Sequence, residues 1–346
     1  MDRPTSGPLG RDEAPERGDV VLQVEDLRMY LHTRWGVTKA VDGVTFDLRA
    51  GETLGIVGES GCGKSMLALS LVRLTPEPAS RIEGGKVLLE GTDLLALSDR
   101  KMRQIRGKKI SMILQDPHQS LNPVFTVGNQ LAEAIRIHGD AQSKEGTQER
   151  AEDALRSVHV PEPERRLKNY PHEMSGGMKQ RVVGAMAMVY TPTVLIADEP
   201  TTALDVTIQA QYLRLLRDLQ RKTGVAMIII SHDFGVIAET CDRVAVMYAG
   251  KFVEQGTVAG VFDNPSHPYT KGLLDSHPRY VGRAERLRSI EGAPPELTDL
   301  PPGCRFSPRC ELVGPQCTES DPPLHQISEQ HVSWCFKSED LPWANH

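Results

Sequence analysis

The sequence predicts an α/β fold built on a largely parallel, twisted sheet, and three observations predict it. The first is Gly58-Glu59-Ser60-Gly61-Cys62-Gly63-Lys64-Ser65, which fits G-x-x-x-x-G-K-[ST]. A short apolar strand, Thr53 to Val57, precedes it and an apolar-rich helix, Met66 to Arg73, follows, which is the context that a phosphate-binding loop needs. The second is a pair of further apolar strands, Val194 to Asp198 and Ala226 to Ile230, each running into polar residues: Glu199-Pro200 and Ser231-His232-Asp233. The third is that helical segments separate the strands, as parallel pairing requires.

With 346 residues, 39% hydrophobic and 25% charged, the chain has a globular balance and the length for more than one domain. Its formal charge of −6 gives no basic field for nucleic acid. The most apolar run, Val225 to Ile230, is too short to cross a bilayer. The first residues do not resemble a signal peptide, so a soluble, intracellular protein is expected, with any membrane role exercised through a partner. Four of the 6 cysteines crowd the last 43 residues, which in a reducing compartment favours a metal centre over disulfides.

In chain order, Met1 to Gly18 mixes Pro, Gly and charge and is expected to be a disordered leader. Val20 to Val24 and Val41 to Leu48 carry strand patterns, the second through alternating Val44, Phe46 and Leu48. Between them lie Tyr30 and Trp35, aromatics suited to the core or to stacking on a purine. Lys86 to Glu90 is another strand, with a turn at Gly91-Thr92. Lys109 to Leu114 is the next, running into a corner at Gln115-Asp116-Pro117, where Pro stops regular structure. Val127 to Arg136 and Glu149 to Val158 read as amphipathic helices with a polar loop, Gly139 to Thr147, between them. No strand pattern appears from Leu121 to Met188, so this stretch is predicted to be a helical insertion. Val244 to Tyr248 and Lys251 to Glu254 form a hairpin around Ala249-Gly250.

The chemistry follows from these positions. Glycines let backbone N–H groups converge on one anion, and the helix after them presents its positive end. Lys64 would reach the β- and γ-phosphates, and the Ser65 hydroxyl would ligate Mg²⁺. In an open α/β sheet the ligand lies beyond the carboxyl ends of the strands. Asp198 would therefore hold the same Mg²⁺, and Glu199 would orient or deprotonate water. His232 sits where a γ-phosphate could be, although taken singly a structural histidine is the better reading. Ser175 with Gly176 and Gly177 caps a helix through Val182 to Val189, and that start is either an anion site or an ordinary cap.

Taken together and in order, these residues resemble the nucleotide-binding subunits of ATP-binding-cassette (ABC) transporters, over roughly Val20 to Leu274. The resemblance implies a cassette with a RecA-like core, an antiparallel β subdomain and a helical subdomain at about 120–189. It implies a domain at 19–275 and a Cys-rich extension at 276–346. It implies that Gly58 to Ser65 and Met66 bind ATP, that Gln115 senses the membrane subunits and ligates Mg²⁺, and that Ser175, Gly176 and Gly177 are the signature motif. Asp198 becomes the metal-binding aspartate, Glu199 the catalytic glutamate, Ala203-Leu204-Asp205 the D-loop and His232 the switch histidine. Trp35 becomes the adenine-stacking aromatic, with Tyr30 as fallback. Met174 and Met178 depart from the usual Leu and Gln of the signature, whose serine and glycines remain.

Ser120-Leu121-Asn122-Pro123, Asn264-Pro265 and His267-Pro268-Tyr269-Thr270 narrow the likeness to the peptide/nickel importer branch. So does the tail, Cys304-x5-Cys310-x6-Cys317-x17-Cys335. Four thiolates suit Zn²⁺ or an iron–sulfur cluster, and spacing does not choose; the resemblance implies [4Fe–4S], with Zn²⁺ the alternative. It further implies ATP-driven import of dipeptides or oligopeptides, or of nickel. The implied partners are a second ATPase subunit, two membrane permeases and an extracytoplasmic binding protein, with this chain on the cytoplasmic face of the membrane. A non-transport ABC ATPase with a redox-sensing tail is the alternative of another class. Cys62, at a helix N-terminus, is expected to gain thiolate character and oxidant sensitivity.

Overall fold

A computed structural model of the chain describes residues 18–116, 120–139, 143–202, 204–276 and 289–343. The expected leader up to residue 17, Pro117 and Ala203 lie outside the described residues. β1 (Val20–Thr33), β2 (Gly36–Arg49) and β3 (Thr53–Val57) precede α1 (Lys64–Leu71); β4 (Ser80–Leu89), β5 (Thr92–Asp93), α2 (Asp99–Ile105) and β6 (Ile110–Ile113) follow. Then α3 (Val127–Ile137), α4 (Lys144–Ser157), α5 (Pro163–Arg166) and α6 (Gly176–Met188) run with no strand among the described residues. The chain returns through β7 (Val194–Asp198), α7 (Val206–Thr223), β8 (Ala226–Ile230), α8 (Phe234–Thr240), β9 (Arg243–Tyr248) and β10 (Lys251–Thr257). α9 (Val258–Asp263), α10 (Pro268–Asp275), α11 (Pro315–Glu319), β11 (His325–Ser328) and β12 (His331–Ser333) complete it.

Two sheets result. One is antiparallel, in the order β2-β1-β4-β5. The other has the order β11-β12-β10-β9-β3-β8-β7-β6, parallel from β9 to β6. The parallel strands read as unbroken apolar runs because both their faces are covered. Ile56, Ile196, Ile228 and Ile230 enter one core with Leu67 and Leu71 of α1 and with Leu22 and Val44 of the antiparallel sheet. Leu195, Ala197 and Met227 point the other way, into a core with Leu131, Leu155 and Leu216 of the helices.

Some elements differ from expectation. β1 and β2 have 14 residues each, longer than the apolar pattern, because their hairpin pairing continues out to Thr33↔Gly36 where side chains are exposed. Where a polar loop is expected through Thr147, the Ser143 Oγ accepts the Gly146 N–H at 3.0 Å and starts α4 five residues early. The tail adds strands that no pattern announced: β12 pairs with β10 (Glu254↔Ser333), so the Cys-bearing segment continues the main sheet. Fully buried Glu254 crosses that joint, accepting the Ser266 N–H at 2.6 Å and meeting His331 Nε2 at 2.7 Å. No helix among the described residues is long and apolar enough to cross a membrane.

Candidate active site

The register brings the predicted residues together. Ile56 pairs with Ile230, Asp198 with Ile230 and Ala197 with Ile113, so β3, β8, β7 and β6 finish at one edge. That edge collects the loop from Gly58, Ser231-His232, Asp198-Glu199 and Leu114-Gln115. The loop's shape needs glycine at two points. Gly58 has φ +154° and Gly63 φ +111°, and a Cβ would come within 2.1 Å of the Met247 and Ala40 carbonyl oxygens respectively. Lys64, only 5% exposed, lies along the loop; its Nζ donates to the carbonyls of Gly58 (2.7 Å) and Glu59 (2.9 Å).

Asp198 is buried, and its Oδ1 has no hydrogen-bond partner in the protein. Burial raises its pKa, followed by the Glu199 charge; the Ser65 hydroxyl and Lys64 oppose. A buried carboxylate oxygen without a partner, beside a serine hydroxyl, is a donor set that fits a divalent cation. Glu199 is a hub: Oε2 accepts from Gln115 Nε2 and from Thr202 Oγ1, both at 2.9 Å, and Oε1 lies 3.3 Å from His232 Nδ1. Its backbone is strained at φ +44°, held by its N–H on the Ile230 carbonyl at 2.9 Å. Gln115 and His232, far from Glu199 in sequence, thus converge on its carboxylate. Thr202 was missed because nothing in its sequence neighbourhood announces that contact.

Other predicted residues lie apart. Ser175 caps α6, its Oγ accepting the Met178 N–H at 3.4 Å. Among the described residues no hydrogen bond links Ser175, Gly176 or Gly177 to the phosphate loop. Asp205 Oδ1 caps α7 through the N–H groups of Thr207 and Ile208. Trp35 stands 78% exposed at the turn between β1 and β2, with the Arg34 guanidinium 4.5 Å over its ring. Tyr30 instead donates to Asp42 Oδ1 at 2.6 Å, with burial pushing its pKa up to about 12, so it is committed to the protein. One expectation fails: Cys62 is buried, and burial raises its pKa more than neighbouring Lys64 lowers it. Desolvation of the thiolate outweighs the helix end, so the thiol form dominates.

The family models match the same segments: an ABC transporter model over residues 41–202, and an oligopeptide/dipeptide transporter C-terminal region over 253–317. A dipeptide transport ATP-binding protein, DppD of Bacillus subtilis, is 50% identical, the match covering 91% of this chain and 94% of that one. The chain belongs to the ABC transporter family. The oligopeptide transport ATP-binding protein OppD of the same organism is 49% identical to this cassette, over 91% of this chain and 88% of that one. Among solved structures, the ATP-binding cassette MJ0796, a dimer in a post-hydrolysis state bound to ADP and Pi, superposes with a TM-score of 0.61. That match has 25% identity and covers 68% of this chain and 98% of the other. The cassette is an ATPase.

Beyond the nucleotide edge of the cassette, Cys304, Cys310, Cys317 and Cys335 line one small cavity, together with His267, Phe306 and Phe336. Burial pushes three thiol pKa values up, Cys304 to about 11, Cys335 to about 12 and Cys310 in the same direction, and neighbouring thiols add to each shift. Among the described residues, however, no three His, Cys, Asp or Glu side chains are disposed to hold a single metal ion. This disposition supports neither the expected [4Fe–4S] cluster nor the Zn²⁺ alternative.

Proposed function

We propose that this cassette is the ATP-hydrolysing subunit that energises import of dipeptides or oligopeptides. The single observation that carries the mechanism is the Glu199 carboxylate, gripped by Gln115, Thr202 and His232 beside the phosphate loop. Lys64 and the N–H groups of Gly58 to Ser65 offset phosphate charge. Magnesium, held by Ser65, Asp198 and Gln115, would neutralise charge on the phosphoryl group in flight. Glu199 orients or deprotonates the attacking water, and His232 contacts the γ-phosphate. Trp35 stacks on adenine. Ser175, Gly176, Gly177 and Asp205 serve a partner cassette, which favours an ATP sandwich between two subunits; the dimeric solved relative supports that arrangement. Exposed Val124, Phe125 and Ile137 of the helical region suit membrane permeases that work with an extracytoplasmic binding protein.

We also assign the four cysteines to a [4Fe–4S] cluster. What supports this reading is that all four cysteines line one cavity, which matches the ligand number of such a cluster. Such a group would supply the positive charge that lets buried thiols ionise. Iron and sulfide analysis of protein purified without air tests this, and zinc without iron would overturn it. For the ATPase, Glu199→Gln in the assembled transporter should bind ATP normally while hydrolysis and peptide uptake fall by roughly a hundredfold or more. Normal turnover in that variant would remove Glu199 from its role. Loss of nickel uptake with intact peptide uptake on deletion would reassign the cargo.

A further inference from the structure

The tip of the phosphate loop is braced from outside the cassette core, by the Cys-bearing tail. Arg309 makes a two-pronged pair with Glu59: Nη1 to Oε2 at 2.6 Å and Nη2 to Oε1 at 3.0 Å. Its side chain is 5% exposed, and Nε is tied to the Glu291 carbonyl at 3.0 Å, so the guanidinium cannot swing away at low cost. The Glu59 backbone N–H is held separately by the Tyr269 hydroxyl at 2.8 Å. On the other side, the Cys62 carbonyl accepts the Gly250 N–H at 2.8 Å, and Arg305 bonds the adjacent Ala249 carbonyl. Arg305 and Arg309 bracket one short turn of the tail, and both ends of the segment Glu59 to Cys62 are anchored through it.

We propose that Arg309 is a positioning residue for the ATPase reaction: by neutralising and fixing Glu59 it holds the phosphate loop open to a polyphosphate. The physical reason is charge. Glu59 is a carboxylate next to the N–H groups that meet the phosphates. Without Arg309 it stands unpaired against the incoming triphosphate, and the loop tip loses its strut. The inference rests on Gly58 to Ser65 being the phosphate site and does not depend on what fills the cysteine cavity.

The test is equilibrium binding of a fluorescent ATP analogue to the full-length chain, alongside steady-state kinetics in the assembled transporter. Arg309→Gln should weaken ATP binding about tenfold, since a charge-assisted pair is lost. The loss should fall from ATP to ADP to adenosine, and it should appear in KM more than in kcat. Glu59→Gln added to Arg309→Gln should recover much of the affinity by removing the unpaired carboxylate. A role confined to holding the tail in place predicts no such rescue. Where Arg309→Gln does not fold, Arg309→Lys, which keeps the charge without the fork, should lose about threefold. Wild-type affinity in the Arg309 variants, or a double variant no better than Arg309→Gln, overturns the proposal. Failure of the wild-type chain to bind ATP would instead overturn the phosphate-loop assignment.

Discussion

Single residues decide whether the anion cradle exists. At Gly63 a methyl group would meet the Ala40 carbonyl at 2.1 Å with φ at +111°. The dihedral alone costs an L-residue about 1–3 kcal/mol, before the clash is counted. Gly63→Ala should therefore abolish ATP binding and lower the melting temperature, which calorimetry and nucleotide titration would measure together; ATP binding at wild-type strength would show that the loop does not need this shape. Gly63, Lys64, Asp198 and Glu199 are legible in the sequence because phosphate chemistry demands those residue types at fixed spacing beside a strand. Arg309 and Tyr269 were not legible as loop supports. They meet Glu59 from 250 and 210 residues away, and only the docking of the tail brings them there. Cys62 misled for the same reason, since local sequence shows its helix end but not its burial.

At the scale of elements, periodicity gave away what packing enforces. The parallel strands are apolar on both faces and α3 buries Val127, Leu131 and Ile135 at helical spacing, so both were readable. The β11-β12 hairpin was not, since its burial depends on a neighbour, β10, distant in the chain. The joint between β2 and the tail adds a pH dependence. Burial pushes the Asp42 carboxyl up, but the Tyr30 hydroxyl and Arg305 outweigh it and leave its pKa below the usual 3.8. A carboxyl with a lowered folded-state pKa stabilises above its unfolded value and loses that contribution as pH falls through the folded one. Acidification below about pH 3.8 should thus loosen the Arg305 anchor, read as faster protease nicking of the tail. Asp42→Asn should remove that pH step, and an identical step in the variant would assign it elsewhere.

For the molecule as a whole, the tail is structure rather than appendage. Glu254, with no exposed surface, depends on His331 from β12 across the sheet. His331→Ala strands a buried carboxyl and should cost about 3 kcal/mol, measurable by urea unfolding; a loss under about 0.5 kcal/mol, as at an ordinary surface site, would contradict it. The added hairpin also settles how the sheet meets other molecules. Without it, the seven-residue β10 would be the open border, a row of free amides and carbonyls. With it, the outermost strands are β11 and β6, each only 4 residues long. Borders that short offer little template to a stray strand. Self-association of this protein is thereby steered away from backbone zippering and toward the side-chain faces on which a motor subunit works.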